Sequence, residues 1–292
     1  MKITEGSMPY LGYQTWYRIA GETKGDKKPV ILLHGGPGST HNSLELLDPL
    51  AKDGRMVITY DQIGCGNSYL DGHPRFWTLE TWLNELIALI KHLGLDEFHL
   101  LGQSWGGMLT IAYVSDVGKG VKSAVLSSTL PSSQLWGKEQ HRNIRFMSEE
   151  DQAAIAEAEK SGCFEGEAYE KAVAVFMERH CYSPPKPSDP ECIRREKKSG
   201  SEAYLYGWGP NEFSPMGSLK DFDYTEKLKE WTVPALIISG TDDLCTPLIA
   251  KTMYDAIPDA RWELFAGCRH TVYAEETEKY LKLVSAFLEA HD

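Results

Sequence analysis

The stretch Phe98-His99-Leu100-Leu101-Gly102-Gln103-Ser104-Trp105-Gly106-Gly107-Met108 constrains this chain more than any other. It reads as a short apolar strand, a G-x-S-x-G turn and the start of a helix running toward Val114. In that order one serine occupies a turn too sharp for most residues. Gly102 and Gly106 lack the Cβ atoms that would clash across the turn, and Ser104 is held out at the edge of a sheet. Five residues are a short pattern, so its weight comes from context: a strand before, a helix after, and partners elsewhere in the chain.

The chain has 292 residues, 42% of them apolar, enough for one large α/β domain with room for an insertion. No window approaches the ~18 continuous apolar residues of a membrane span. Met1-Lys2-Ile3-Thr4-Glu5-Gly6 is not followed by the apolar core of a signal peptide, so a soluble cytoplasmic protein is expected, with no membrane partner. Acidic residues number 42 against 30 basic, a formal charge of −12, which argues against a nucleic-acid partner. An acidic surface keeps a protein soluble, and it also draws in cationic ligands such as free amino termini. The six cysteines lack C-x-x-C spacing and read as free thiols, with a Cys181–Cys192 bridge across a proline-rich loop as the alternative. No His and Cys cluster has metal-ligand spacing, so no metal or other cofactor is expected.

Taken in order, residues 13–20 alternate and are rich in β-formers, which predicts an early antiparallel strand. Pro29-Val30-Ile31-Leu32-Leu33 is a continuous apolar run, the mark of a strand buried on both faces of a parallel sheet. It runs into His34-Gly35-Gly36-Pro37-Gly38, a loop whose backbone can approach a ligand closely and present N–H groups. A strand over 56–60 then leads into a second polar, glycine-marked loop, Asp61 to Ser68. From a Thr78 N-cap a helix follows with Leu79, Trp82, Leu83, Leu86, Ile87 and Ile90 on one core-facing stripe, ended by Gly94. Further strands are expected at 123–128, 233–240 and 261–265, with a closing helix at 276–290. Residues 131–230 are charged, helical and irregular, with helices over 149–159 and 167–180 and a proline-rich loop over 182–190. The pattern predicts a mostly parallel α/β sheet formed by 1–130 and 231–292, with 131–230 inserted as a helical cap.

A serine hydroxyl needs a base, usually histidine, and an acid that fixes the tautomer of that histidine. In open α/β sheets working groups lie beyond the carboxyl ends of strands. Thr241-Asp242-Asp243 follows one predicted strand and Ala266-Gly267-Cys268-Arg269-His270 follows the next. Of nine histidines, His34, His99 and His270 lie in or beside strands, and His270 alone follows an acid-bearing strand end. That leaves Asp242 or Asp243 as acid and His270 as base, in the order Ser, Asp, His.

The runs His34-Gly35-Gly36-Pro37-Gly38, Asp61-Gln62-x-Gly64-x-Gly66-x-Ser68 and Gly102-Gln103-Ser104-Trp105-Gly106-Gly107 together resemble the α/β-hydrolase fold. More narrowly they resemble the proline iminopeptidase family, over essentially the whole chain. The resemblance implies an acid in G-x-x-D-x-x-x-P, which falls on Asp243, with Asp242 as the alternative one position early. It implies Ser104 as nucleophile, His270 as base, and an oxyanion hole made by the N–H groups of Gly36 and Trp105, with Gly35 lining the substrate. It also implies that Glu212, in Gly209-Pro210-Asn211-Glu212-Phe213, receives a substrate's free amine, since a buried ammonium demands a carboxylate.

The expected activity is therefore release of an N-terminal residue, preferably proline, from short peptides or amino-acid amides. Some relatives carry a second acid directly after the triad aspartate, where this chain has Leu244. Unless another cap acid such as Glu202 serves, one carboxylate must suffice, which leaves room for an amino-acid amidase or esterase of broader acyl specificity. A ligand-binding module that kept the fold and lost the reaction is the non-enzymatic alternative. Trp136, Phe146, Tyr204, Tyr206, Trp208 and Phe213 are candidates for the wall of a pyrrolidine pocket or for cap core. Oligomeric state has no signal in the sequence.

Overall fold

The computed structural model describes residues 1–292, and its backbone is organised on one eight-stranded sheet. The strands are β1 (Ile3–Tyr10), β2 (Tyr13–Ala20), β3 (Val30–Leu33), β4 (Val57–Tyr60), β5 (Phe98–Gln103), β6 (Val121–Ser127), β7 (Ala235–Gly240) and β8 (Ala260–Phe265). Their order is β1-β2-β4-β3-β5-β6-β7-β8, antiparallel as far as the β2–β4 pair and parallel from there on. The helices are α1 (Leu79–His92), α2 (Trp105–Asp116), α3 (Ser133–Ile144), α4 (Glu149–Ser161), α5 (Glu167–His180), α6 (Glu191–Arg194), α7 (Ser201–Gly207), α8 (Pro247–Ala256), α9 (Val272–Glu275) and α10 (Thr277–Glu289). No helix is long and apolar enough to cross a membrane.

The run Val30-Ile31-Leu32-Leu33 is apolar at every position because both faces of β3 are covered. Ile31 and Leu33 belong to one apolar cluster that also takes in Trp82 and Leu86 of α1, Met108 of α2 and Ile249 of α8. Val30 and Leu32 pack on the other side with Leu44 and Leu47 of the 3₁₀ segment Asn42–Asp53 and with Tyr280 and Val284 of α10. This is the period-2 alternation of a strand read in two opposite cores.

The sequence reading begins the sheet at residue 13, whereas the sheet begins with β1. Ile-Thr-Glu-Gly-Ser-Met-Pro-Tyr carries a glycine and a proline, and Met8 is its one buried side chain. Burial of one such side chain contributes about 1.5–3 kcal/mol. The strand depends instead on its ladder with β2, closed by a two-residue turn in which Leu11 and Gly12 both take positive φ (49° and 84°). Pro9 is tolerated because β1 is an edge strand.

Between β6 and β7 the chain leaves the sheet and forms α3 to α7, a segment hereafter called the cap. Ser148 caps α4 by accepting from Asp151 N–H at 3.1 Å. Ile155, Tyr169, Phe176 and Phe213 of the cap join the same apolar cluster as α1 and α2, so cap and sheet share one core on that face.

Helix α1 carries a feature that the apolar stripe does not reveal. Glu85 is fully buried beside Trp82 and Leu86. Its carboxyl accepts from Thr15 Oγ1 at 2.5 Å and from Ile63 N–H at 2.8 Å, so it pins the loop after β4 from below. Burial pushes its pKa up to about 8, against the opposing pull of those two hydrogen bonds. The folded state therefore keeps a proton that the unfolded chain has already lost, and stability falls as pH rises toward that value. Glu85→Gln removes the titration and keeps the shape. The variant is expected to gain thermal stability relative to the parent as pH is raised from about 5 to about 9, measured as Tm. Two Tm–pH curves that run parallel would contradict this.

Candidate active site

Ser104 sits between β5 and α2 with φ 55° and ψ −123°, a positive φ that costs a non-glycine residue about 1–3 kcal/mol. Its surroundings over-determine that conformation. Ser104 N–H donates to Ser127 O at 2.9 Å, while Ser104 O accepts from Gly107 N–H at 2.8 Å and from Thr129 Oγ1 at 2.6 Å. A Cβ on Gly102 would strike the Gly106 carbonyl, and one on Gly106 would strike the carbonyl of Leu33. Both glycines are therefore required by close backbone packing of the turn on itself and on β3.

Asp243 lies three residues beyond β7 and is almost fully buried, whereas Asp242 is exposed. The Asp243 carboxylate accepts from His270 Nδ1 at 2.7 Å, from Cys245 N–H at 2.8 Å and from Gly240 N–H at 3.2 Å. With Nδ1 bearing the proton toward Asp243, Nε2 of His270 is left as an acceptor. Gln103, immediately before Ser104, donates from Nε2 to His270 O at 3.2 Å, so elbow and histidine loop are joined directly. His99 is not part of this group. It lies near the opposite end of β5, bonded to Ser123 Oγ at 2.8 Å, and burial lowers its pKa to about 4.

The glycine loop lies against the serine. A Cβ on Gly35 would come within 3.1 Å of Ser104 Cβ. The N–H groups of Gly36 and Trp105 have no acceptor within the chain. The loop after β4 supports them from behind. Gln62 donates from Nε2 to His34 O and from its N–H to His34 Nε2, both at 3.1 Å, and its Oε1 accepts from Trp105 Nε1 at 2.7 Å. Asp61, fully buried, accepts from His41 N–H and Nδ1 at 2.8 Å and from Asn67 N–H at 2.8 Å. Burial would push its carboxyl up, but the His41 and Asn67 contacts outweigh that and hold it below the ordinary range. In the sequence this loop is marked by its glycines, which do not point to the work of Asp61 and Gln62. An acid directly after a buried strand is the signal that was there to use.

Glu212 belongs to a turn fixed by Asn211, whose Oδ1 accepts from Phe213 N–H at 3.0 Å and Ser214 N–H at 2.7 Å. Gly209, with φ 152°, lets the chain pass Ser214 O where a Cβ would not fit. Tyr204 donates its hydroxyl to Glu212 Oε1 at 2.8 Å, and Trp136 Nε1 donates to Glu212 O at 2.7 Å. The Trp136 ring in turn meets His270 edge-on, 5.7 Å between centroids. Burial pushes the Glu212 carboxyl up, opposed by the nearby His270 and by the Tyr204 hydroxyl. Ser104, Asp243, His270, Gly35 and Gly36 thus stand on neighbouring loops at one end of the sheet, and Glu212 approaches His270 from the cap.

A model of the alpha/beta hydrolase fold matches residues 28–277. The chain is 56% identical over 293 residues to the proline iminopeptidase of Clostridioides difficile (strain 630), covering all of both chains. It is 52% identical over 295 residues to the proline iminopeptidase of Lactobacillus helveticus (strain DPC 4571), again end to end. The solved structure of the Mycobacterium smegmatis proline iminopeptidase superposes with a TM-score of 0.86 at 31% identity, covering 99% of this chain and 98% of that one. This chain belongs to the proline iminopeptidase family of α/β hydrolases.

Within this member of the family, several expectations need revision. The Glu202 carboxylate is engaged elsewhere: it accepts from Gly72 N–H at 2.8 Å, His73 N–H at 2.9 Å and Trp77 Nε1 at 2.8 Å. Phe146 and Tyr206 are 79% and 48% exposed, so neither belongs to the cap core. Trp136, Trp208 and Phe213 are buried and packed edge-on against neighbouring rings. The expectation of free thiols holds: all six cysteines are free, Cys181 and Cys192 included.

The contrast between the adjacent aspartates gives a direct test. Asp243→Asn is expected to slow inactivation by a fluorophosphonate by about 10³-fold or more, because the amide presents His270 with the wrong tautomer. Asp242→Asn should leave that rate within about twofold. Equal loss in both variants would contradict the distinction.

Proposed function

We propose that this chain is a serine aminopeptidase that releases an N-terminal residue, preferably proline, from short peptides or amino-acid amides. Ser104 Oγ attacks the scissile carbonyl while His270 Nε2 takes its proton, and Asp243 holds Nδ1–H and stabilises the imidazolium. Charge that develops on the carbonyl oxygen is received by the N–H groups of Gly36 and Trp105; loss of one such donor typically costs ~10²–10³ in rate. His270 then protonates the leaving amine, leaving an acyl group on Ser104. Water, activated by the same histidine, releases the free amino acid. The backbone of Gly35 lines the acyl group beside Ser104.

The observation that carries the substrate class is Glu212. Its carboxylate lies near His270, is anchored through Oε1 by Tyr204, and keeps Oε2 for the ammonium of an unblocked amino terminus. Burial holds Tyr204 as the neutral phenol, so it remains a donor at all working pH values. The engagement of Glu202 elsewhere removes one candidate partner for Glu212, which favours a second, broader reading as an amino-acid amidase or esterase. With six free thiols, a reducing compartment such as the cytoplasm suits this enzyme.

Glu212→Gln tests the assignment. On a prolyl arylamide kcat/KM should fall by about 10–100-fold, the worth of one hydrogen bond to a charged group, with little change on a short ester lacking an amine. Equal loss on both substrates would exclude amine recognition by Glu212. The pH dependence has a definite sign. Amine recognition needs the ionised carboxylate, and burial raises its pKa, so as pH is lowered, activity on the amine substrate relative to the ester should fall, and the fall should set in at a higher pH than an ordinary glutamate would give. In Glu212→Gln that relative fall should vanish, measured as the ratio of the two kcat/KM profiles.

A further inference from the structure

Four of the loops around the site are tied to the cap by hydrogen bonds involving their main chains. Gly200 N–H donates to Gly38 O at 2.7 Å, on the glycine loop, and Gly66 N–H of the next loop donates to Lys198 O at 2.8 Å. Gln140 Nε2 on α3 donates to Leu244 O at 2.7 Å, one residue past Asp243. The N–H of His270 itself donates to His180 O, the last residue of α5, at 3.1 Å.

We propose that the seating of the cap sets the geometry of the acid and the base, and that Gln140 and Arg269 are the positioning residues through which it does so. The proposal rests on the roles given above to Asp243 and His270. Gln140 is fully buried, and its neighbour Glu139 accepts from Thr246 Oγ1 at 2.6 Å. Helix α3 therefore grips the acid loop at 244 and at 246, on either side of Cys245, whose N–H holds Asp243.

Arg269 does the same for the base. Its Nε donates to Glu275 Oε1 at 2.7 Å, and its N–H donates to Glu275 Oε2 at 2.6 Å. Its Nη1 donates to Glu178 O at 2.8 Å, in the last turn of α5, and to Ser183 Oγ at 2.9 Å. One guanidinium thus bridges the core helix α9 to the carboxyl end of a cap helix, where a cation suits the exposed carbonyls. The backbone of the next residue, His270, is held between the two units: its N–H by His180 of the cap and its carbonyl by Gln103 of the elbow. His180 Nδ1 also bonds Asp242 O at 3.0 Å, so the end of α5 touches both loops.

A cap that only bound substrate would alter KM for amine-bearing molecules. A cap that positions the acid and base alters turnover on every acyl donor. Gln140→Met keeps volume but cannot donate, Arg269→Met removes the bridge, and Arg269→Lys keeps its charge. Steady-state kinetics of the folded variants on a prolyl arylamide and on a short p-nitrophenyl ester separate the two accounts, with the fluorophosphonate labelling rate as a third readout. The expected result is a fall in kcat of about 10–100-fold on both substrates, matched by labelling, with KM within about twofold and partial rescue in Arg269→Lys. A rise in KM at unchanged kcat, a loss confined to the amine-bearing substrate, or a lowered Tm with undiminished kcat would overturn the proposal. If Gln140→Met does not fold, the two Arg269 variants decide it. If the prolyl assignment fails, the parent is inert on the arylamide while the ester and the fluorophosphonate still report on positioning.

Discussion

The conformation of Ser104 is the constraint on which the rest of this structure depends. A serine at positive φ is stable only where its neighbours leave no alternative, and here strand, helix and adjacent loop all converge on it. Gly102 is packed on Gly106, Gly106 on the end of β3, and Thr129 closes the turn from β6. These contacts fix where the hydroxyl stands, and Gly36, Asp243 and His270 stand on loops leaving neighbouring strands.

Those loops are not free-standing. Asp61 and Gln62 tie the loop after β4 to the glycine loop and to the Trp105 indole, and Glu85 supports it from inside the core. The acid and histidine loops lean on α3 and α5. The cap therefore belongs to the same mechanical unit as the sheet, consistent with the single apolar cluster that runs through both. It carries Glu212 and also shapes the surroundings of Asp243 and His270.

Much of this was legible in the sequence, for identifiable reasons. Strands covered on both faces, β3 above all, announce themselves as unbroken apolar runs, and the order serine, aspartate, histidine along strand ends needs only the rule that working groups lie beyond carboxyl ends, while Asp243 rather than Asp242 is what the family resemblance implies. What escaped lacks a local signal. β1 forms by pairing rather than burial, so its composition reads as loop. Glu85 looks like a solvated helix position until its partners, Thr15 and Ile63, are placed around it. Gln140 and Arg269 act on backbone carbonyls more than 90 residues away, and a backbone carbonyl has no sequence identity to match. Phe146 and Tyr206 show the converse: aromatic type alone does not say which face of the cap a ring will occupy.

The central claim is that an elbow serine with its acid and base is turned into an aminopeptidase by a cap carboxylate that reads an unblocked amino terminus. The most direct measurement compares kcat/KM for prolyl and N-acetylprolyl arylamides on the parent enzyme. Acetylation removes the positive charge and leaves the ring and scissile bond in place. The account predicts a preference of about 100-fold or more for the free amine, since the blocked substrate leaves the Glu212 carboxylate desolvated without its counter-charge. Comparable rates on the two substrates would contradict it.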